Sequence, residues 1–352
     1  MFNKYIYCIG LMSGTSLDGI DIAYVRINNH LYKDFTILKA ETFAYSKEWT
    51  SVLREAMLYS DKELLDLDIN YGKYLGNLLK RFINENSISR LDFIASHGHT
   101  ILHQPQKGIT LQIGSGSEIA NITKKKVICD FRTQDVELKG QGAPLVPIGD
   151  RLMFSNYDFC LNLGGFANIS YEQEDKRIAF DICPVNIVLN HYVNKLGLDF
   201  DDKGKIASKS TVNNLLLNKL NTLNFYFQRP PKSLGLEWVQ QNIFPLIDGL
   251  EDNIEIILKT FVEHIAIQIG NILKIDSSVL VTGGGVFNTF LMERIEHHAQ
   301  IKIVLPSEEL IDYKEALVFA FLGLLKINNQ VNCLKSVTGA VKDHSSGVIF
   351  YP

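Results

Sequence analysis

Three glycine-bearing turns and one strand-end carboxylate are the parts of this sequence best suited to chemistry. The first turn, Ser13-Gly14-Thr15-Ser16-Leu17-Asp18-Gly19, stands between an apolar run ending at Met12 and an alternating run opening at Ile20 and Asp21. Its two glycines let the backbone aim several N–H groups at one point, and its three hydroxyls add donors. A polyphosphate needs such a concave donor set. Asp18 would repel phosphate directly, yet it can hold Mg²⁺ through water against phosphate oxygens. The plainer alternative is a β-turn whose Ser, Thr and Asp only satisfy the backbone, and the residues leave both open. The turn lacks Gly-Lys-Ser/Thr, so it is not a Walker A loop.

The second turn, Gly164-Gly165-Phe166-Ala167-Asn168, follows the apolar run Phe159–Leu163 and reads as a phosphate-facing turn or an ordinary Gly-Gly hairpin. The third, Thr282-Gly283-Gly284-Gly285, separates the short strand Val279–Val281 from an apolar helical stretch, Val286–Ile295. Three glycines admit a flat ligand such as adenine, and a helix N-terminus favours anions. A plain strand-to-helix turn seldom requires three, which favours a ligand here. Asp181 ends the strand Ile178–Phe180, where partial desolvation raises proton affinity and suits a general base; its structural alternative is a cap on Asn186. Ser96-His97-Gly98-His99-Thr100, with Asp130-Phe131-Arg132 and Asp135, is expected in ligand-facing loops after apolar strands. Two histidines at i, i+2 without nearby carboxylates make a poor zinc set, so hydrogen bonding to a polyhydroxylated ligand is preferred. His264 reads as a helix-face residue.

The elements that must position these groups repeat. Ile6–Met12 and Ile20–Ile27 form a strand–turn–strand unit, a third strand lies near Thr36–Tyr45, and Leu64–Ile83 is amphipathic at helical spacing. The second half again has a strand, a glycine turn and a returning strand, then the strong helix Ile254–Leu273 and a buried last helix, Glu315–Ile327. A length of 352 residues suits two domains, drawn as residues 1–125 plus about 328–352, and 126–327. An apolar fraction of 46% and a net charge of −4 give no field inviting nucleic acid or an anionic membrane, and Lys124–Lys126 reads as a solvated element end. Five scattered cysteines show no CxxC or Cys/His ligand spacing, which predicts a reducing compartment and neither a disulfide framework nor a zinc site. With no signal-peptide layout and no apolar run near ~20 residues, a cytoplasmic protein is expected.

Gly14-Thr15-Ser16-Leu17-Asp18-Gly19-Ile20-Asp21 resembles the opening signature of the anhydro-N-acetylmuramic acid kinases. The likeness continues through Ser96–Thr100, Leu111–Gly114, Asp130–Arg132, Gly140–Leu145, Leu161–Gly165, Pro230–Ser233, Thr282–Gly285, Lys314–Ala316 and Ser336–Ala340, in family order over nearly the whole chain. The resemblance implies an α/β, two-domain actin/hexokinase-like (ribonuclease H-like) fold, with a mixed sheet in each domain and ATP in an interdomain cleft. It implies phosphorylation of 1,6-anhydro-N-acetylmuramic acid on O6, with hydrolytic opening of the anhydro ring, during peptidoglycan recycling. By position Asp181 is the base. Gly14, Thr15, Ser16, Leu17, Asp18, Gly19, Ile20 and Asp21 would hold the nucleotide together with Gly164 and Gly165, with Asp18 on the Mg²⁺ side. Gly283, Gly284 and Gly285 would line the adenosine. His97, Thr100, Arg132, Asn186 and Glu315 would face the sugar, and a homodimer is a weaker implication. The alternatives are a related kinase for another amino sugar and a non-catalytic nucleotide-binding switch. The chain departs from the family pattern after the base, with Ile182-Cys183-Pro184-Val185-Asn186 in place of Thr-Gly-Pro-Gly-Asn, and Cβ atoms are thereby expected beside the ligand.

Overall fold

Alternating apolar residues make Tyr5–Ser13 (β1) and Ile20–Asn28 (β2) an antiparallel pair in register from Tyr5↔Asn28 to Ser13↔Ile20, leaving residues 14–19 as the connecting tip. The computed structural model describes residues 4–14 and 17–352, so the predicted contributions of Thr15 and Ser16 lie outside the described residues. Phe35–Phe43 (β3) adds antiparallel to β2, while Phe93–Gln104 (β4) lies parallel to β1 on its other side. Ile109–Ile113 (β5) folds back on β4, and Val127–Cys129 (β6) and Val348–Phe350 (β11) extend the sheet to seven strands, ordered β11-β6-β4-β1-β2-β3 with β5 paired to β4.

Phe159–Leu163 (β7), Phe166–Gln173 (β8), Lys176–Pro184 (β9) and Val279–Thr282 (β10) form a second sheet in the order β10-β7-β8-β9. In each sheet the first three strands run antiparallel, and the next long strand joins parallel to the first. The pattern 3-2-1-4, present twice, is the ribonuclease H-like plan of the actin/hexokinase-like fold.

Two compact units result, Met1–Met153 with Tyr313–Pro352, and Phe154–Asp312. These limits differ from the expected boundaries at 125 and 328 for a simple reason. β6 hydrogen-bonds into the first sheet at Ile94↔Val127 and Ala95↔Ile128, and the helix Glu308–Ile327 lies on that sheet. A Cβ on Gly10 would stand 1.8 Å from the Ala316 carbonyl oxygen, and one on Gly323 would stand 2.8 Å from Ala95 and Phe93. The other face of the first sheet receives the helix Asp61–Glu85. A reciprocal Ser60/Glu63 capping box starts this helix, and Tyr71, Leu75, Leu79 and Phe82 are buried in a cluster with Ile9, Ile22 and Ile94. In the second unit Asn253 caps the helix Ile254–Gly270, which buries Phe261, Ile265 and Ile269 against Leu161, Ile169 and Val281.

Two local expectations need correction. Ser96–Thr100 is part of β4 itself and not a loop after it, because β1 pairs with Ser96 and His99 and β5 pairs with His99 and Thr100, which keeps the polar stretch extended. The helix expected from Val286 begins at Thr289, since a 3₁₀ turn over Gly284–Phe287 precedes the cap made by Asn288 on the Leu291 N–H.

Candidate active site

In the first unit the register of β1 against β4 slips between Leu11↔Ser96 and Ser13↔His99, and Gly98 takes φ 73° at the slip. A Cβ there would lie 2.5 Å from the Ile113 carbonyl oxygen, so the bulge requires glycine. The bulge presents both histidines to fixed partners. Ser13 Oγ lies 2.8 Å from His99 Nδ1 and 2.6 Å from the Tyr45 hydroxyl, which in turn bonds Tyr71. His97 Nδ1 lies 3.0 Å from the Gly98 carbonyl and takes the proton there. His97 Nε2 accepts from Arg132 Nε at 3.0 Å and Nη2 at 2.9 Å. Burial, with the Arg132 charge second, pushes His97 well below its ordinary range, so it stands as a neutral acceptor.

Arg132 also donates from Nη1 to the Gly142 carbonyl at 2.6 Å. Burial lowers it to about 10, against the opposing pull of Glu315, and it stays cationic at neutral pH. Glu315 is raised by desolvation and pulled back by Lys314 and Arg132, although water still reaches its side chain. Thr100 pairs across the strands with Gln112, whose Nε2 lies 3.4 Å from Thr100 Oγ1 and whose buried Oε1 has no hydrogen-bond partner. Gln112, His97, Gly98 and Asp130 line a cavity of about 560 Å³. At the β1–β2 tip, Leu17 takes φ 62°, Asp18 is exposed, and Asp21 Oδ1 accepts from Thr42 at 2.7 Å. Ile20 is a core residue with no exposure, so only its backbone remains for a ligand.

The second unit assembles its groups differently. The Gly164-Gly165 turn receives the start of the helix Asn186–Asn194. Val185 and Ile187 N–H donate to the Gly165 carbonyl at 2.8 and 3.3 Å, and Asn186 N–H donates to Gly164 at 3.3 Å. Gly283 has φ 87°, and a Cβ on it would meet Asn162 Oδ1 at 2.6 Å; one on Gly285 would meet Leu163 at 2.8 Å. Both glycines are therefore consumed in packing on β7. Gly284 is open, its one neighbour within 4 Å being Asn186 Nδ2 at 4.0 Å. The two glycine turns and Asn186 thus lie together.

Asp181 is half-buried on β9. Its Oδ2 accepts the Leu234 N–H at 2.8 Å and its own N–H bonds the Lys232 carbonyl at 3.1 Å, so the segment 230–234 straps it. Burial raises its proton affinity and the Leu234 bond moderates the rise. It caps nothing: Val185 occupies the N-cap of the following helix, which has no side-chain cap bond. A bulge opposite Ala167/Asn168 turns Ile182, Cys183 and Val185 into the core cluster. Val185 has φ −130°. The departures from the family pattern thus enlarge the core, and the expectation of Cβ atoms beside the ligand gives way. His264 is buried, with Nδ1 2.7 Å from Asn221 Oδ1 and Nε2 2.8 Å from the Tyr226 hydroxyl.

Tyr45 and Tyr71, which fix Ser13, were invisible among strand-end and helix-core residues. Leu234 acts through its N–H, which no side-chain pattern signals.

The family model for anhydro-N-acetylmuramic acid kinase matches residues 6–352. The chain belongs to that family, a family of sugar kinases. It is 32% identical to the anhydro-N-acetylmuramic acid kinase of Zymomonas mobilis over 97% of this chain and 99% of that protein. It is 33% identical to that of Aliivibrio fischeri over 97% and 98%, and 32% identical to that of Bacillus cereus over 99% and 100%. Among solved structures, Plasmodium falciparum glycerol kinase with ADP covers 100% of the chain and 95% of its own length at 10% identity and a TM-score of 0.44.

Proposed function

We propose that the chain uses ATP and water to convert 1,6-anhydro-N-acetylmuramic acid into the ring-opened sugar phosphorylated on O6, in cytoplasmic cell-wall recycling. The observation that carries this reading is Asp181: a half-buried carboxylate with raised proton affinity, held by the Leu234 N–H and given no capping role. Its free oxygen suits it to take a proton from water as that water attacks the anomeric carbon. The C1–O6 bond breaks, its electron pair goes to O6, and O6 takes the γ-phosphoryl group, leaving ADP. Buried, free cysteines throughout agree with a reducing compartment.

Phosphoryl transfer asks mainly for positioning and charge neutralisation. The backbone of Gly14 and Leu17–Asp21 in the first unit, and that of Gly164–Gly165 in the second, would each serve phosphate, and the open surface over Gly284, framed by Gly283 and Gly285, would serve the adenosine. Asp18, exposed beside a left-handed residue, fits a water-mediated partner of Mg²⁺, and the ion's contribution would be to neutralise phosphate charge. On the sugar side, neutral His97 orients Arg132. Three of the five Arg132 N–H donors serve His97 and Gly142, leaving two for an acidic or hydroxyl group of the substrate, with Thr100, Asn186 and Glu315 as further partners.

The test is a kinase assay with purified chain, ATP and the anhydro sugar, with the product checked by NMR for an opened ring and a phosphate on O6. Turnover on a different amino sugar, with none on this one, would overturn the reading.

A further inference from the structure

Asp135, on the short helix Thr133–Glu137, has no solvent exposure, and the reaction above gives it no role. Its Oδ2 accepts the Gly142 N–H at 2.7 Å. Its Oδ1 accepts from Thr338 Oγ1 at 2.7 Å, and Cys333 Sγ at 3.0 Å and His344 Nε2 at 3.5 Å approach the same oxygen. Cys333 and His344 are direct cross-strand partners: each N–H donates to the other's carbonyl at 3.1 Å, so both side chains leave the same face. The three ligand atoms lie within 4.8 Å of one another, and all three residues are buried.

His344 Nδ1 lies 3.2 Å from the Lys342 carbonyl and places its proton there. Nε2 points inward at Asp135 Oδ1; it is buried and makes no hydrogen bond among the described residues. An imidazole nitrogen facing a carboxylate oxygen at 3.5 Å calls for a positive charge between them, and a metal ion held also by the Cys333 sulfur can supply it. Thiolate, imidazole and carboxylate are a donor set for zinc, and bonds of about 2.0–2.3 Å around a tetrahedral ion space ligand atoms roughly 3.3–3.8 Å apart. Sγ and Nε2 stand 3.0 and 3.5 Å from Oδ1, near that spacing, and all three atoms lie within 4.8 Å of one another. One thiolate and one carboxylate neutralise a divalent ion, so the buried site would carry no net charge. The supporting bonds are those such sites use: imidazole N–H on a backbone carbonyl, and the second carboxylate oxygen on a backbone N–H.

We propose that Asp135, Cys333 and His344 bind a zinc-class divalent ion, with Thr338 Oγ1 or water as fourth ligand. The ion would fasten the segment 333–344 to the loop whose Gly142 carbonyl holds Arg132. Burial pushes the Cys333 thiol well up, and the ion displaces its proton to solvent. The test uses the whole chain, expressed with added zinc and freed of loose metal. Metal analysis is expected to find roughly one zinc per chain, and titration of chelator-treated protein with cobalt(II) is expected to give a thiolate charge-transfer band. Cys333→Ala abolishes the band, and His344→Gln, which removes a ligand outright, weakens metal retention by about 100-fold or more. Less than about a tenth of an equivalent of zinc, together with no cobalt–thiolate band on the wild-type chain, overturns the proposal whether or not the variants fold. An imidazolium signal from His344 persisting in the zinc-supplemented chain overturns it equally, since a proton would then do the ion's work.

Discussion

The two units share one four-strand plan and finish it with opposite chemistry. In each, a glycine with positive φ turns the chain at the fourth strand of that plan: Gly98 (φ 73°) in β4 and Gly283 (φ 87°) just past β10. In the first unit the chain stays extended through the turn, and β5 holds it so, with His97 bonded to Arg132 and His99 bonded to Ser13. In the second the chain leaves the sheet, and two glycines pack on β7 while Gly284 stays bare. One backbone device thus orients side chains in one unit and bares a backbone surface in the other, and the difference lies in whether a neighbouring strand is present to keep the chain extended.

If Asp181 is the base, the largest effect belongs to it. Asp181→Asn should fold and bind nucleotide yet lose about 10²–10⁴-fold in turnover, measured as phosphate transfer at saturating substrate. Turnover near wild type would remove the second unit's one catalytic side chain and dissolve the contrast. Next comes Arg132→Lys. An ammonium cannot serve His97 and the Gly142 carbonyl in the planar geometry of a guanidinium, so the sugar KM should rise about 10–100-fold, the worth of a hydrogen bond to a charged group. Nucleotide affinity should stay put; equal losses on both ligands would break the division of labour between the units.

The glycines sharpen the same contrast. Gly98→Ala and Gly283→Ala each meet a positive φ and a close oxygen, 2.5 Å from Ile113 O and 2.6 Å from Asn162 Oδ1, and each should cost about 1–3 kcal/mol by denaturant titration. Gly284→Ala meets open space, so its stability should change by no more than about 0.5 kcal/mol while nucleotide binding weakens roughly tenfold. Should Gly284→Ala bind nucleotide normally, the bare surface is not a ligand surface.

Much of this frame was legible because it is local. Alternation between Ile20 and Ile27, the 3.6-residue spacing through Leu75, Leu79 and Phe82, and the glycine runs each report within a few residues what the backbone does. What escaped depends on distant partners. Ser96–Thr100 reads as a loop because the strand β1 that it lies along is 86 positions away at Ser13 and His99. Ile182, Cys183 and Val185 looked ligand-facing because a one-residue bulge, which redirects them into the core, leaves no mark in composition. The Asp135–Cys333–His344 cluster joins residues 198 positions apart at its widest hydrogen bond, beyond any spacing rule.

The smallest expected effect concerns pH, and it too divides the units. His264 in the second unit is lowered by burial to about 3, and His99 in the first to about 4, both from an ordinary 6.5. Each is neutral when folded, so the unfolded chain binds the extra proton and stability rises with pH across the gap. The contribution is complete above pH 6.5 and drains away as pH falls toward each folded value, over a window about one unit wider for His264. His264→Gln can still donate to Asn221 Oδ1 and accept from Tyr226, so it should flatten the fall of the urea midpoint between pH 7 and 5 while leaving the neutral-pH midpoint little changed. His99→Gln should flatten it about as much over that range, since both folded values lie below 5 and the two histidines part only as pH nears 4. Midpoints of His264→Gln that track wild type at every pH would mean that His264 is protonated in the folded chain. The Asn221 bond would then survive, but Nε2 would have to donate to the Tyr226 hydroxyl.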